Sequence, residues 1–156
     1  MMREILFRGQ TRKKGQKVWM DGTPVDGQWV YGGVTQGIGY FSVIYGGKNA
    51  NDPSEGLEKW CVYTDTLGQF TGLTDKNGTK IFEGDIVESK FTQKPYLVCL
   101  GEYTYTDEYG GEQSVCGWYN EEKGGCVTAF GCPDVWATVI GNIHDNPELL
   151  EAGDGR

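Results

Sequence analysis

The side chains with chemical potential are few and scattered. His144 is the single histidine, so a serine or cysteine nucleophile with an imidazole base would have to use it. It sits between a strand-like run and a capped turn, where a structural or solvated role is expected. The five cysteines, Cys61, Cys99, Cys116, Cys126 and Cys132, are odd in number and irregular in spacing, which fits free thiols better than a disulfide framework. The nearest pair with ligand-like spacing, Cys126 and Cys132, has five residues between, too many for the paired spacing of a zinc site. Adjacent or near-adjacent carboxylates occur at Glu83 and Asp85, at Asp107 and Glu108, and at Glu121 and Glu122, each at a turn. General acid–base work by such a pair, as in a hydrolase, is the weakest of the functional readings. The turn at Asp75 fails the calcium-loop pattern, since Gly78 follows three residues on and position 86, eleven on, is Ile. No phosphate loop or dinucleotide fingerprint is present. The expectation is a protein with no catalytic residues, no metal and no cofactor.

Binding chemistry is better represented. Arg8, Arg12, Lys13, Lys14 and Lys17 crowd the start of the chain, where residues 1–17 carry net +5. The whole chain is −8, so the remainder carries −13 and repels polyphosphate over most of its surface. A solvated loop is the plain reading of the basic run; a contact with an acidic partner or with nucleic acid is the sharper one. Aromatic residues make up 13% of the chain, with five Trp and nine Tyr. Trp19 and Trp118, with the basic residues, are the side chains expected to meet a partner, because exposed Trp and Tyr on small β modules serve such contacts. The partner would be another protein or a second copy of the chain; nucleic acid is disfavoured by charge, and no stretch is apolar enough for a membrane.

The elements that must position these residues are short strands. Twenty-five glycines are dispersed among β-branched and aromatic residues, and no segment of ten or more residues shows helical periodicity. Strands are expected at Glu4–Arg8, at Trp29–Val34 with a bend or bulge at Gly32-Gly33, and at Tyr40–Tyr45, followed by a loop at 46–56. Further strands are expected at Lys59–Thr64, Tyr96–Leu100, Glu102–Thr106, Ser114–Tyr119, Cys126–Phe130 and Trp136–Ile143. The centre, Thr66–Val87, reads as two successive reversals: Asp75-Lys76-Asn77-Gly78 has hairpin chemistry, and Glu83-Gly84-Asp85 separates Ile81-Phe82 from Ile86-Val87. Asn146, Pro147 and Glu148 suit the start of a short C-terminal helical turn. The fold expected is mainly β, a small SH3-like or pseudo-barrel of short antiparallel strands closed to remove edges. One domain over 1–152 is expected, with a basic loop at 10–28, a hairpin region at 92–134 and a fraying tail at 153–156. Arg3 and Glu4 are followed by no apolar run of signal-peptide length, so a soluble, cytoplasmic protein is expected.

Three segments resemble the YopX family of phage and prophage proteins. They are Arg3–Gly9 with Trp29-Val30-Tyr31-Gly32, the central Gly68–Gly78 running into Ile81–Val87, and Val139–Leu149. The residues that carry the likeness are Gly68, Gln69, Phe70, Gly72, Leu73, Asp75, Asn77, Gly78, Glu83, Gly84, Asp85, Gly141, Asn142, Asn146 and Pro147. The resemblance implies a β-rich fold and a phage or prophage origin, hence a bacterial host cytoplasm, and it implies no activity. The stretch Thr11–Gly27 is longer than the family's usual link, and 92–134 is individual to this chain, so partner specificity is expected there. A homo-oligomeric accessory protein is the leading expectation and a nucleic-acid-associated module the alternative.

Overall fold

The structure, a computed structural model, describes residues 4–11, 27–35, 39–55 and 58–151. It divides into two compact units, Met1–Phe70 and Thr71–Arg156.

In the first unit, β1 (Phe7–Gln10), β2 (Trp29–Thr35), β3 (Phe41–Gly47), β4 (Glu58–Tyr63) and the start of β5 (Gly68–Thr74) form antiparallel ladders in the order β4-β3-β2-β1-β5. Alternation sets the face that is buried: Val30, Ile44 and Val62 are fully enclosed, with Val34, Trp60 and Leu67 packed around them. The β2–β3 register runs without interruption from Tyr31↔Gly47 to Thr35↔Val43, so Gly32-Gly33 makes no bulge. Gly32 serves close approach instead, since a Cβ there would stand 2.1 Å from the Tyr45 carbonyl oxygen, and one on its partner Gly46 would stand 2.0 Å from that of Tyr31. A single 3-10 turn, Thr64–Thr66, links β4 to β5. Its Thr66 hydroxyl donates to the Tyr63 carbonyl (2.7 Å) and accepts the Gln10 amide (2.9 Å), fastening the turn to β1.

In the second unit, β6 (Lys80–Phe82) neighbours β5, and a five-stranded antiparallel sheet has the order β10-β9-β8-β7-β11. Its strands are β7 (Asp85–Ser89), β8 (Pro95–Thr106), β9 (Glu112–Glu122), β10 (Cys126–Ala129) and β11 (Ala137–Asn142). Two one-turn helices, α1 (Pro133–Trp136) and α2 (Glu148–Glu151), flank β11. Ile81, Val87, Val98, Phe130 and Ala137 make the core, with Tyr96, Trp118, Trp136 and Val139 packed against it. Trp136 meets Phe130 and Tyr96 edge-on, at ring separations of 6.3 and 6.2 Å.

The fold is mainly β, as the sequence implies, but the strands make two open antiparallel sheets with no closed barrel among the described residues. The reason lies in β8 and β9. Instead of two short strands with a break, Tyr96–Leu100 and Glu102–Thr106 are one strand of 12 residues, and its partner runs for 11. β7 stays beside β8 only to Leu97, and β10 beside β9 only to Tyr119. Outward from Gly101 and Gly117 the two strands ladder with each other alone, so this ribbon has no further strand through which the sheet could close. Boundaries also move: β1 runs Phe7–Gln10 where Glu4–Arg8 is expected, β9 extends through Glu122, and α1 takes Trp136, so the last strand begins at Ala137. The C-terminal helical turn forms as expected, with the Leu149 amide donating to the Asn146 carbonyl (3.1 Å).

Candidate partner-binding groove

The residues of the central motif build turns. Asp75 is 3% exposed, and its Oδ1 accepts the amides of Asn77 (2.8 Å) and Thr79 (2.9 Å) while Oδ2 accepts that of Val139 (3.0 Å). One carboxylate thus closes the β5–β6 hairpin and anchors β11 to it. Burial by itself would raise the Asp75 carboxyl, but the amides of Val139, Thr79 and Asn77 outweigh it and hold the group below its ordinary value. The Asp85 side chain, 2% exposed, accepts the Phe82 amide (2.8 Å) across the Glu83-Gly84 turn. Gly84, at φ +84, donates its amide to the Val98 carbonyl (2.9 Å) and accepts the Ile143 amide (2.8 Å). The turn therefore holds β8 on one side and the C-terminal segment on the other.

That C-terminal segment is shaped by Asn142. Its Oδ1 accepts the amides of His144 and Asp145 (both 3.0 Å), its Nδ2 donates to Asp145 Oδ2 (3.0 Å), and its carbonyl accepts the Asn146 amide (2.8 Å). Gly141 lets the returning chain come close, since a Cβ there would lie 2.6 Å from Asn146 Oδ1 and 2.9 Å from Leu149 Cδ1. A register shift between Val139 and Gly141 in the β7–β11 ladder marks the same place.

The segment shaped by Asn142 helps to wall an open groove of about 370 Å³. Leu97 on β8, Ile143 and Pro147 after β11, and Leu150 on α2 supply its apolar surface. Glu121, Glu122, Lys123 and Gly124 from the β9–β10 turn, with Glu151 from α2, supply the polar edge. The lining carries three carboxylates against one amine. Glu122 is engaged by Lys94, whose amine is held above its ordinary value by that hydrogen bond and charge. Glu121 lies 3.9 Å from the Cys99 thiol, which also points at the Leu97 carbonyl (3.8 Å). Burial, then the Glu121 charge, pushes Cys99 up to about 11, so at neutral pH it is a thiol and a poor nucleophile. The neighbouring Tyr119 phenol is raised by burial and by Cys99. Among the described residues no three His, Cys, Asp or Glu side chains gather as metal ligands.

The residues expected to meet a partner are not brought together here. Arg8 is 7% exposed with its guanidinium 4.6 Å above the Trp29 ring, inside the first unit. Trp118 packs half-buried against the core of the second. Arg12, Lys13, Lys14, Lys17 and Trp19 lie outside the described residues. Apart from Glu121 and Glu122 and the turn-forming Pro147, no sequence pattern singles out the groove residues. Their joint signal is a strand, a Gly-Gly turn and a C-terminal turn far apart in sequence, which no local pattern links.

The chain is a member of the YopX protein family, whose model matches residues 40–151. The match contains the Asp75, Asp85 and Asn142 turns and every residue of the groove, and leaves the Arg3–Gly9 and Trp29–Gly32 segments outside. No curated protein matches the chain. No helix of the described residues is long and apolar enough to cross a membrane.

Proposed function

We propose that the protein is a non-enzymatic phage or prophage accessory protein that works by binding another protein chain in the groove between β8, the β9–β10 turn and α2. The observation that carries this reading is the groove's composition: an apolar lining of Leu97, Ile143 and Leu150 beside the carboxylates of Glu121 and Glu151, with Glu122 paired to Lys94. Acidic edges around apolar anchors favour peptides of opposite charge through steering and register, with the anchors contributing most of the affinity. The central carboxylates support the same reading, because Asp75 and Asp85 spend their oxygens on backbone amides. On this reading Arg8 contributes packing on Trp29, and it does not belong to a phosphate-binding surface.

The test is affinity capture by the tagged chain from prophage-carrying or infected bacteria at low salt, with and without nuclease, beside a Glu121→Lys/Glu151→Lys variant. A stoichiometric protein that survives nuclease and is lost with the variant is the expected result. Enrichment that vanishes with nuclease would overturn the reading in favour of a nucleic-acid-associated module.

A further inference from the structure

The geometry points to a specific occupant for the groove: the basic segment Thr11–Met20 of a second copy of this chain, exchanged between two protomers. This rests on the groove being a binding site, and adds what fills it. The segment reads TRKKGQKVWM, four cations followed by Val18, Trp19 and Met20. That is the complement of the groove, which offers carboxylates at Glu121 and Glu151, Glu122 being paired with Lys94, beside the apolar Leu97, Ile143, Pro147 and Leu150. At about 370 Å³ it has room for about a dozen waters at liquid density, space enough for an apolar anchor with its flanking charges outside.

Two further observations favour a second copy over an unrelated basic chain. The charge division is intrinsic to the molecule: residues 1–17 carry +5 and the rest −13, so each copy brings both halves of the contact. The segment is also rooted at one place. The Thr11 amide donates to the Gln28 carbonyl (2.9 Å) and the Gln28 amide donates to the Thr11 hydroxyl (2.9 Å), so the chain leaves and re-enters the β1–β2 ladder at a single stem. A segment with a fixed root loses less freedom on docking than a free peptide. Mutual exchange makes two identical contacts related by a two-fold axis and closes the assembly as a dimer.

Sedimentation velocity on the full chain tests this with three forms besides the wild type: groove-reversed Glu121→Lys/Glu151→Lys, segment-reversed Lys13→Glu/Lys14→Glu/Lys17→Glu, and both together. Circular dichroism checks that each is folded. The wild type is expected to be dimeric at 0.1 M salt, each single reversal to weaken association at least tenfold, and the combined form to recover it. Mixing the two weakened forms should give a heterodimer, because each then presents the charge the other lacks. A monomeric wild type overturns the exchange, as does a dimer indifferent to both reversals. If capture of another protein still depends on Glu121 and Glu151 while the wild type is monomeric, the groove reading stands and the second copy as occupant falls.

Discussion

Asp75 shows how much one side chain can hold when the backbone donates to it. Its two oxygens accept three amides, from Asn77, Thr79 and Val139, and the last belongs to a strand 64 residues away. In Asp75→Asn the amide nitrogen would face at least one of those N–H groups, two donors meeting with no acceptor. A loss of about 2–3 kcal/mol at neutral pH is expected in urea unfolding. The pH dependence has a definite sign. The folded-state value lies below the unfolded one, so the stabilisation is complete above the ordinary carboxylate range and drains away on acidification toward the folded value. As the pH falls through and below the ordinary carboxylate range the wild type should therefore lose more stability than Asp75→Asn; parallel acid limbs would show that the carboxylate does not carry this term. A second residue-scale expectation concerns the thiols. Cys116, Cys126 and Cys132 are exposed, whereas Cys99 is half-buried and raised from 9.0 to about 11, about a hundredfold fewer thiolates at a given pH near 8. Titration with a disulfide reagent should show three fast cysteines, and Cys99→Ser should leave that fast phase unchanged.

At the scale of elements, the same turn is built twice. Asp107 repeats the Asp75 geometry, with Oδ1 accepting the amides of Tyr109 (3.0 Å) and Gly111 (2.8 Å), and with Gly110 at φ +83 where the first turn has Gly78 at φ +81. Both were legible in the sequence, because Asp followed three residues later by Gly is local chemistry. The C-terminal helical turn was legible for the same reason. The long ribbon was not: Gly101 and Gly117 face each other across β8 and β9, and glycine in a strand reads as a break until a partner strand is seen to continue through it. Closure into a barrel is what short strands imply, and the continuous β8 removes that premise. The groove was hidden because Leu97, Glu121 and Leu150 come together only through tertiary pairing. One element controls its shape. A Cβ at Gly141 would crowd Asn146 and Leu149, so Gly141→Ala should displace the turn that carries Pro147, Leu150 and Glu151. The expected outcome is a loss of about 1–3 kcal/mol in thermal or urea unfolding together with weakened groove binding. Unchanged binding by a folded variant would show that this wall is dispensable.

At the scale of the whole molecule the question is which electrostatic effect prevails when two copies meet. Each carries net −8, so approach is opposed at long range, whereas the basic segment and the acidic groove attract at contact. Salt separates the two because their distances differ. The screening length is about 30 Å at 0.01 M, about 10 Å at 0.1 M and about 3 Å at 1 M. Repulsion between bodies acts over tens of ångströms and is largely removed by 0.1 M; ion pairs seated against Leu97, Ile143 and Leu150 are screened less until salt is far higher. Association should therefore strengthen between 0.01 and 0.1 M and weaken again toward 1 M, and sedimentation equilibrium across that series reads the profile directly. The segment-reversed chain, with Glu at 13, 14 and 17, loses the attractive half, so any association it retains should rise with salt throughout. A wild-type profile that also climbs to 1 M would mean that apolar contact alone joins the copies, and the charge-matched exchange would be ruled out.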